Sequence, residues 1–380
     1  MLSIVILAIA AFVIVSTEFL IVGLLPAMAV DLGVSVPLAG QLVTLFAFTV
    51  MLFGPPLTLL LSHLNRKALF VAIMGVFALA NALAALAPNL WVLGVARFIP
   101  ALLLPVFWGT ASETATRLVA PAQAGTAVAR VYLGITAALL FGIPIGTLAA
   151  GTIGWRGAFW GFALLSLLTA VLLAVCMPAQ AKPQRMRIGQ QIRILRDGAF
   201  QWHVALSVVV FTAMFTAYTY LAETLQKLAG VAPAHVGWWL MAFGAVGLLG
   251  NALAGKMMDR SPLRATVFFT ALLGLGMAGA ALVPGTLHWL VVALAAWGIA
   301  YTALFPVNQV RVMQAAPQAQ AFAGTMNVSA ANAGIGLGAV VGGLAIRHLG
   351  LPSLGFAAAG IAAVAVAMAL AMVRRQAKKQ

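Results

Sequence analysis

The stretch that decides the fold is AIAAFVIVSTEFLIVGLLPAM, residues 8–28. It is long enough, and apolar enough, to cross a hydrocarbon layer about 30 Å thick as a helix. It also carries a carboxylate, Glu18, near its middle. Runs of this kind recur along all 380 residues, of which 64% are hydrophobic and only 7% charged, with a mean hydropathy of +1.10. So few charges cannot cover the surface of a soluble domain of this size. The reading is an all-α membrane protein with twelve transmembrane helices. Spans are expected near 3–29, 37–61, 69–87, 91–116, 124–150, 156–177, 201–225, 234–256, 265–284, 288–312, 320–346 and 352–373. The runs are too long, and alternate too little, for the strands of a membrane barrel. The first run has no basic flank or evident cleavage site, so it reads as a span and not as a signal peptide.

The formal charge of +15 does not point to nucleic acid here, because the basic residues fall in short loops between spans. With the N-terminus inside, seventeen Lys and Arg lie on the inner side, among them Arg66, Lys67, Arg260, Arg264 and Arg311. Three lie outside: Arg156, Lys227 and Arg347. This bias places both termini in the cytoplasm. Arg97 reads as the one basic residue well inside a span. The single cysteine, Cys176, excludes an intrachain disulfide, and the five histidines show no metal-ligand spacing.

Two halves are expected: a six-helix bundle over 1–177, a basic cytoplasmic linker over 178–200, and a second bundle over 201–380 with a basic C-terminal tail. The halves repeat. Gly33 and Gly40 correspond to Gly230 and Gly237 at a shift of 197. Pro121, Gly142, Gly146 and Gly154 correspond to Pro317, Gly338, Gly342 and Gly350 at a shift of 196. A near-constant offset across six spans is the signature of a parallel repeat.

Several stretches resemble the major facilitator superfamily, and more narrowly its twelve-span drug:proton antiporter branch, which includes bacterial sugar-, purine-nucleoside- and chloramphenicol-efflux proteins. They are TEFLIVGLLPAMAVDLGVS, FGIPIGTLAAGTIGWRGAFW, FPVNQVRVMQAAP and NVSAANAGIGLGAVVGG, with Gly255, Asp259, Arg260 and Arg264 in the pattern of the family's inner loop. The N-half copy of that loop departs from the pattern. Thr58 stands for Gly and Ser62 for Asp, while Arg66 and Lys67 are kept. Span 4 lacks the usual glycines after Arg97. Span 5 has Gly142, Pro144 and Gly146 without a closing Gly-Gly. The resemblance implies two pseudo-symmetric six-helix bundles, no cofactor, a proton gradient as energy source, and a bacterial inner-membrane location. It also implies that the Asp259–Arg260 loop latches one state.

The residues that could carry chemistry are few. Burying an ionised acid at the membrane centre costs about 2.5–3.5 kcal/mol, so Glu18 reads as a proton carrier, or else as a neutral acid hydrogen-bonded to a neighbouring helix. Arg97, at a similar depth, is expected to tune it or hold substrate, or else to bond backbone carbonyls of a neighbouring helix. Glu113 reads as an i,i+4 partner of Arg117. Glu223 is either a second protonatable site or a wet one. Asp31 reads as a cap for span 2. Trp108, Phe215, Tyr218, Trp297, Tyr301, Asn308, Asn327 and Asn332 are the expected substrate cavity by resemblance, suited to amphipathic compounds. Gly142/Gly146 and Gly334/Gly338/Gly342 form small-residue stripes that let helices approach, and Pro144 permits a bend.

The chain therefore reads as a monomeric proton-coupled exporter of a small molecule. Efflux of sugars or nucleosides is the alternative within transport, and a non-transporting membrane sensor the alternative outside it. No GxxxxGK[ST] loop is present, and no His/Asp or Ser/Lys pair argues for an enzyme.

Overall fold

The computed structural model describes residues 2–178, 188–282 and 286–377. The described residues are helical, with no strand among them. The helices are α1 (Leu2–Asp31), α2 (Val36–Leu61), α3 (Arg66–Ala85), α4 (Leu90–Arg117), α5 (Ala124–Ala137), α6 (Ile143–Cys176) and α7 (Ile188–Arg193). After these come α8 (Gly198–Tyr218), α9 (Leu221–Lys227), α10 (Pro233–Arg260), α11 (Pro262–Leu282), α12 (Leu287–Gln314), α13 (Gln320–Leu349) and α14 (Leu354–Ala377). Twelve of the segments are long and apolar enough to cross a membrane.

Short polar residues set the helix starts. Ser35 Oγ accepts from Leu38 N at 3.3 Å, Asn65 Oδ1 from Ala68 N at 3.2 Å, Asn89 Oδ1 from Val92 N at 3.0 Å, and Asp197 Oδ1 from Ala199 N at 2.8 Å. Each satisfies an amide that the first helical turn leaves open. Ser35, and not Asp31, is thus the cap of α2. Asp31 is the last residue of α1, and its side chain is drawn elsewhere.

The chain forms two compact units. One holds Met1–Val119, Arg130–Arg193 and Gln318–Ser329. The other holds Ala120–Ala129, Ile194–Pro317 and Ala330–Gln380. Each unit therefore includes a short segment from the opposite half of the sequence, an exchange that a division at the basic linker leaves out. Within that linker, Ile188–Arg193 form α7. Residues 179–187, with Lys182, Arg185 and Arg187, lie outside the described residues, as do Lys378 and Lys379.

Inside each unit the packing repeats. In the first, α2 packs on α4, α3 on α4 and α6, and α1 on α6. In the second, α10 packs on α12, α11 on α12 and α14, and α8 on α14. Among the described residues, the four glycines with positive φ fall into the expected repeat pairs: Gly33 (64°) with Gly230 (67°), and Gly154 (73°) with Gly350 (82°). A left-handed backbone is cheap only for glycine. The break expected between spans 5 and 6 at 150–156 is present as the Gly154 turn, where the backbone leaves the helical region at φ 73°. A π-turn over Ala138–Gly142 ends the α5 segment, and α6 then runs from Ile143 to Cys176 through the Gly154 turn. Pro144 follows directly on this π-turn inside a run that stays helical through Gly142, so the turn accommodates the amide that proline lacks.

The glycine stripes do what their spacing promises. A Cβ on Gly134 would lie 2.3 Å from Ala8 O, one on Gly142 would lie 1.9 Å from Ser16 Oγ, and one on Gly146 would lie 2.4 Å from Leu20 Cδ1. In the other unit, a Cβ on Gly334, Gly338 or Gly342 would lie 2.6, 2.7 or 2.5 Å from atoms of Phe211, Thr212 and Thr216. Span 5 thus packs closely on α1, and α13 meets the backbone of α8, the close approach small residues allow. Large apolar side chains such as Trp91 (87% exposed), Trp238 (68%) and Trp289 (62%) face outward near helix starts, where Trp anchors a helix at the membrane interface.

Replacing Gly154 or Gly350 with Ala should lower stability by about 1–2 kcal/mol, the penalty of a left-handed L-residue. Gly161→Ala, where a Cβ meets nothing within 4 Å, should be neutral or slightly stabilising. Thermal unfolding in detergent measures all three.

Candidate functional site

In the first unit the Thr17–Glu18 turn of α1 is gripped from several sides. Arg97, on α4 and 2% exposed, donates from Nη1 to Thr17 O and from Nη2 to Glu18 O, each at 2.8 Å. Its guanidinium lies over the ring of Phe46, on α2, 4.6 Å from the centroid. Asn81, on α3, donates from Nδ2 to Thr17 Oγ1 at 3.3 Å. Ser16 packs against Gly142. Four elements therefore fix the backbone that carries Glu18, while its half-buried carboxylate makes no hydrogen bond or ion pair among the described residues. Arg97 thus bonds two backbone carbonyls and also acts electrostatically on the neighbouring Glu18 carboxylate. Its Nε is buried and unpartnered.

The other five carboxylates of the chain are all engaged. Glu113 is 5% exposed and binds two cations, Arg66 Nη2 at 2.5 Å and Arg117 Nη2 at 2.6 Å. The i,i+4 pair with Arg117 is present, but it is half of a buried triad, and Arg66 is drawn out of the loop into it. Lys67 is half-buried in the first turn of α3. Asp31 binds Arg156 Nη1 and accepts from Trp155 Nε1 at 3.3 Å, while Arg156 Nη2 donates to Ala87 O at 3.0 Å. Glu223 pairs with Lys227 at 2.6 Å on an exposed surface, the wet arrangement. Asp197 caps α8.

Asp259, on α10, takes the start of α5. Its Oδ1 accepts from Thr126 N at 3.1 Å and its Oδ2 from the Thr126 hydroxyl. A carboxylate at a helix N-terminus meets both open amides and the positive end of the helix dipole. A Cβ on Gly255 would come within 3.2 Å of Thr126 Cα, so the glycine gives this segment room. Arg260 and Arg264 are exposed. The repeat copy is built differently. Thr58, at the position of Gly255, shares a 2.8 Å hydrogen bond with Thr325 Oγ1, which also lies 3.1 Å from Pro105 O as donor. A neutral hydroxyl chain there replaces the ionic cap that Ser62 cannot form.

The expected cavity residues separate. Phe215, Tyr218, Trp297 and Tyr301 come together in the second unit with Phe243 and Phe305. Tyr218 and Tyr301 are stacked with centroids 4.4 Å apart, and Phe243 lies edge-on to Trp297 at 5.5 Å. Trp108 belongs to the first unit, tilted on Tyr132 at 4.6 Å. Asn327 falls in the first unit and Asn332 in the second. Asn308 is buried and committed: its Nδ2 donates to Leu304 O at 2.9 Å and its Oδ1 accepts from Arg311 at 2.8 Å.

Arg311 is the residue that sequence reading misplaced. Counted as an inner-loop charge, it is 2% exposed and held by α8. Its spacing of three from Asn308, on one helical face, was the available signal. The shift of 197 makes the contrast between units plain: Glu18 corresponds to Phe215, Phe46 to Phe243, and Arg97 to Leu294. One repeat carries charges where the other carries apolar side chains, Phe215 and Leu294. No group of three or more metal-capable side chains is found among the described residues.

Two predictions follow from these pairs. Glu113→Gln strands a buried guanidinium and should cost about 3–5 kcal/mol, whereas Arg117→Ala, on the exposed partner, should cost under about 1 kcal/mol; chemical unfolding compares them. Asp31 lies outside the spans, and its hydrogen bond to Arg156 holds its carboxyl below the ordinary value of 3.8. The clasp therefore stabilises the fold above about pH 3.8 and fades as pH falls toward the folded value. Asp31→Asn should lower the melting temperature at pH 7 and make a shrinking difference as the pH is taken below that point.

Residues 7–232 and 204–380 match the sequence model of the Major Facilitator Superfamily. The inner membrane transport protein YdhP of Escherichia coli (strain K12) is 34% identical over 378 residues, 98% of this chain and 95% of its own. The MFS-type transporter YtbD of Bacillus subtilis (strain 168) is 29% identical over 350 residues, covering 91% of this chain and 88% of its own. Among solved structures, the fucose:proton symporter FucP of E. coli superposes with a TM-score of 0.77 at 16% identity over 97% of this chain and 98% of its own. The proton:xylose symporter XylE superposes with a TM-score of 0.76 at 14% identity, covering 96% and 94%. At those identities the structures speak for the fold alone. Twelve spans, a twofold repeat and a family match over nearly the whole length lead to one conclusion: the chain belongs to the major facilitator superfamily, and it is a multi-pass membrane transporter, not an enzyme.

Proposed function

We propose that this transporter exports a small amphipathic compound across a bacterial inner membrane in exchange for protons, with Glu18 as the proton carrier. The observation that carries the reading is the inventory of acids. The chain has six, and only the Glu18 carboxylate makes no hydrogen bond or ion pair among the described residues. An acid in a membrane span costs about 2.5–3.5 kcal/mol when ionised, so an uncommitted one serves a function. Its backbone is fixed by Arg97 and Asn81, so the carboxylate can change charge without the helix losing its anchors. The aromatic cluster around Tyr218 and Tyr301 supplies the kind of wall that amphipathic molecules bind.

Alternating access then uses the carboxylate twice. Protonated, Glu18 is neutral and tolerates an apolar surround. Ionised, it offers a cationic or hydroxyl-rich substrate a partner. Proton and substrate compete for one group, which is the minimal requirement for exchange.

Proteoliposomes loaded with a pH dye test this against a panel of amphipathic drugs, nucleosides and pentoses. At least one panel compound should drive proton movement in the wild type. Glu18→Gln should abolish that movement by tenfold or more while still binding the compound. Normal coupling in Glu18→Gln would remove Glu18 from the mechanism.

A further inference from the structure

Four exposed arginines gather at one end of the second unit. Arg196 lies just before α8, Arg264 is in the first turn of α11, and Arg374 and Arg375 are in the last turn of α14. Helix α14 packs on both α8 and α11. Its pairing with α11 is antiparallel: a Cβ on Gly274 would meet Ala362, and one on Gly355 would meet Met277 O. Carried on, that register brings the start of α11, with Arg264, level with the last turns of α14. Arg375 reaches across to α8, its guanidinium 5.9 Å from the ring centre of Trp202.

No acid of the chain meets these four charges. Glu113 takes Arg66 and Arg117, Asp31 takes Arg156, and Glu223 takes Lys227. Asp259 holds the start of α5, and Asp197 accepts from Ala199 N. Glu18, the sixth and last, lies in the first unit. Residues 179–187 and 378–380 carry basic charges and no acidic ones. Among the described residues the four arginines therefore form no ion pair, and a second copy of the chain has no spare carboxylate outside its spans to bring. The inward charge bias accounts for cations at this end. It does not account for their gathering around an exposed indole with every nearby acid spent.

Trp202 decides what kind of anion fits. It is 47% exposed and stands ~6 Å along α8 from the first residue, Gly198. An indole near the end of a span lies at the level of the lipid headgroups. A guanidinium over an aromatic face keeps its N–H donors in its own plane, free for another partner. That planar fork takes phosphate oxygens in pairs. A soluble anion would use the arginines alone, whereas a ligand with a charged and an apolar part uses the indole as well. Basic clusters at the cytoplasmic ends of spans hold anionic headgroups in this way.

We propose that this end of the second unit binds the phosphate of an anionic phospholipid from the cytoplasmic leaflet, held by Arg264, Arg374 and Arg375 beside Trp202. The lipid fastens the end of α14 to the starts of α8 and α11. It uses neither Glu18 nor a proton gradient, so it stands or falls apart from the exchange reaction.

Native mass spectrometry of the full chain in detergent, titrated with phosphatidylglycerol or phosphatidylcholine, tests this. The wild type should bind the first phosphatidylglycerol at least tenfold more tightly than phosphatidylcholine. Each basic residue near an anionic surface is worth about fivefold in affinity. Arg264→Gln, Arg374→Gln and Arg375→Gln together should therefore weaken phosphatidylglycerol at least tenfold and leave phosphatidylcholine within about twofold. The same number of charges removed from the linker, by Lys182→Gln, Arg185→Gln and Arg187→Gln, should change phosphatidylglycerol by less than about twofold. Equal binding of the two lipids, an unchanged affinity in the arginine variant, or as large a loss in the linker variant overturns the proposal. So does displacement of the lipid by excess inorganic phosphate, which would make this a site for a soluble anion. Where the arginine variant does not fold, Arg375→Gln alone replaces it: a loss of about fivefold supports the site, and no loss overturns it.

Discussion

A bilayer interior penalises every ionised side chain, and the chain meets that penalty by giving almost every buried charge a partner. Glu113 pairs with both Arg66 and Arg117. Asp259 faces the open amides of α5. Arg97 and Arg311 are too basic to discharge, so they are wrapped in carbonyl, hydroxyl and amide oxygens. Against this background an acid without a partner is a defect unless it does something. Glu18, whose carboxylate makes no hydrogen bond or ion pair among the described residues and feels Arg97 only through its charge, is the acid free to do so.

The twofold repeat shows how one scaffold carries two chemistries. Backbone requirements are common to both halves: the positive-φ glycines, the glycine stripes and the order of helix packing all recur. Side-chain requirements are not. At matching positions the first unit places Glu18, Phe46 and Arg97, and the second places Phe215, Phe243 and Leu294. The ends of the repeats differ as well, with Asp259 capping α5 in one unit and a Thr58–Thr325 hydroxyl pair in the other. Packing constrains glycines through contact distance, so they survive in both copies. Charge and aromaticity are free to specialise.

This division also explains what could be read from the sequence. The spans follow from hydropathy, and Gly33, Gly154, Gly230 and Gly350 follow from the repeat, because both signals are local and periodic. The isolation of Glu18 was visible as one charge in an apolar run. Long-range pairing was not visible. Nothing local tells Asp31 to choose Arg156, 125 residues away, over the N-terminus of α2. Arg66 looked like a loop charge until Glu113 drew it in. Arg311 lies only three residues from the end of α12, where a long basic side chain ordinarily snorkels to water. Here its partners His203 and Ser207 lie more than a hundred residues away.

The central claim is that Glu18 exchanges a proton while the other acids stay fixed. The chain has three glutamates, Glu18, Glu113 and Glu223, so carbon NMR of side-chain-labelled glutamate gives three signals, each assignable by a Glu→Gln variant. Spectra would be taken in nanodiscs near neutral pH, with and without whichever panel compound moves protons. The Glu18 signal should shift between its carboxyl and carboxylate positions when the compound is added, with Glu113 unmoved at the carboxylate position. A Glu18 signal that stays in one form throughout would contradict the mechanism.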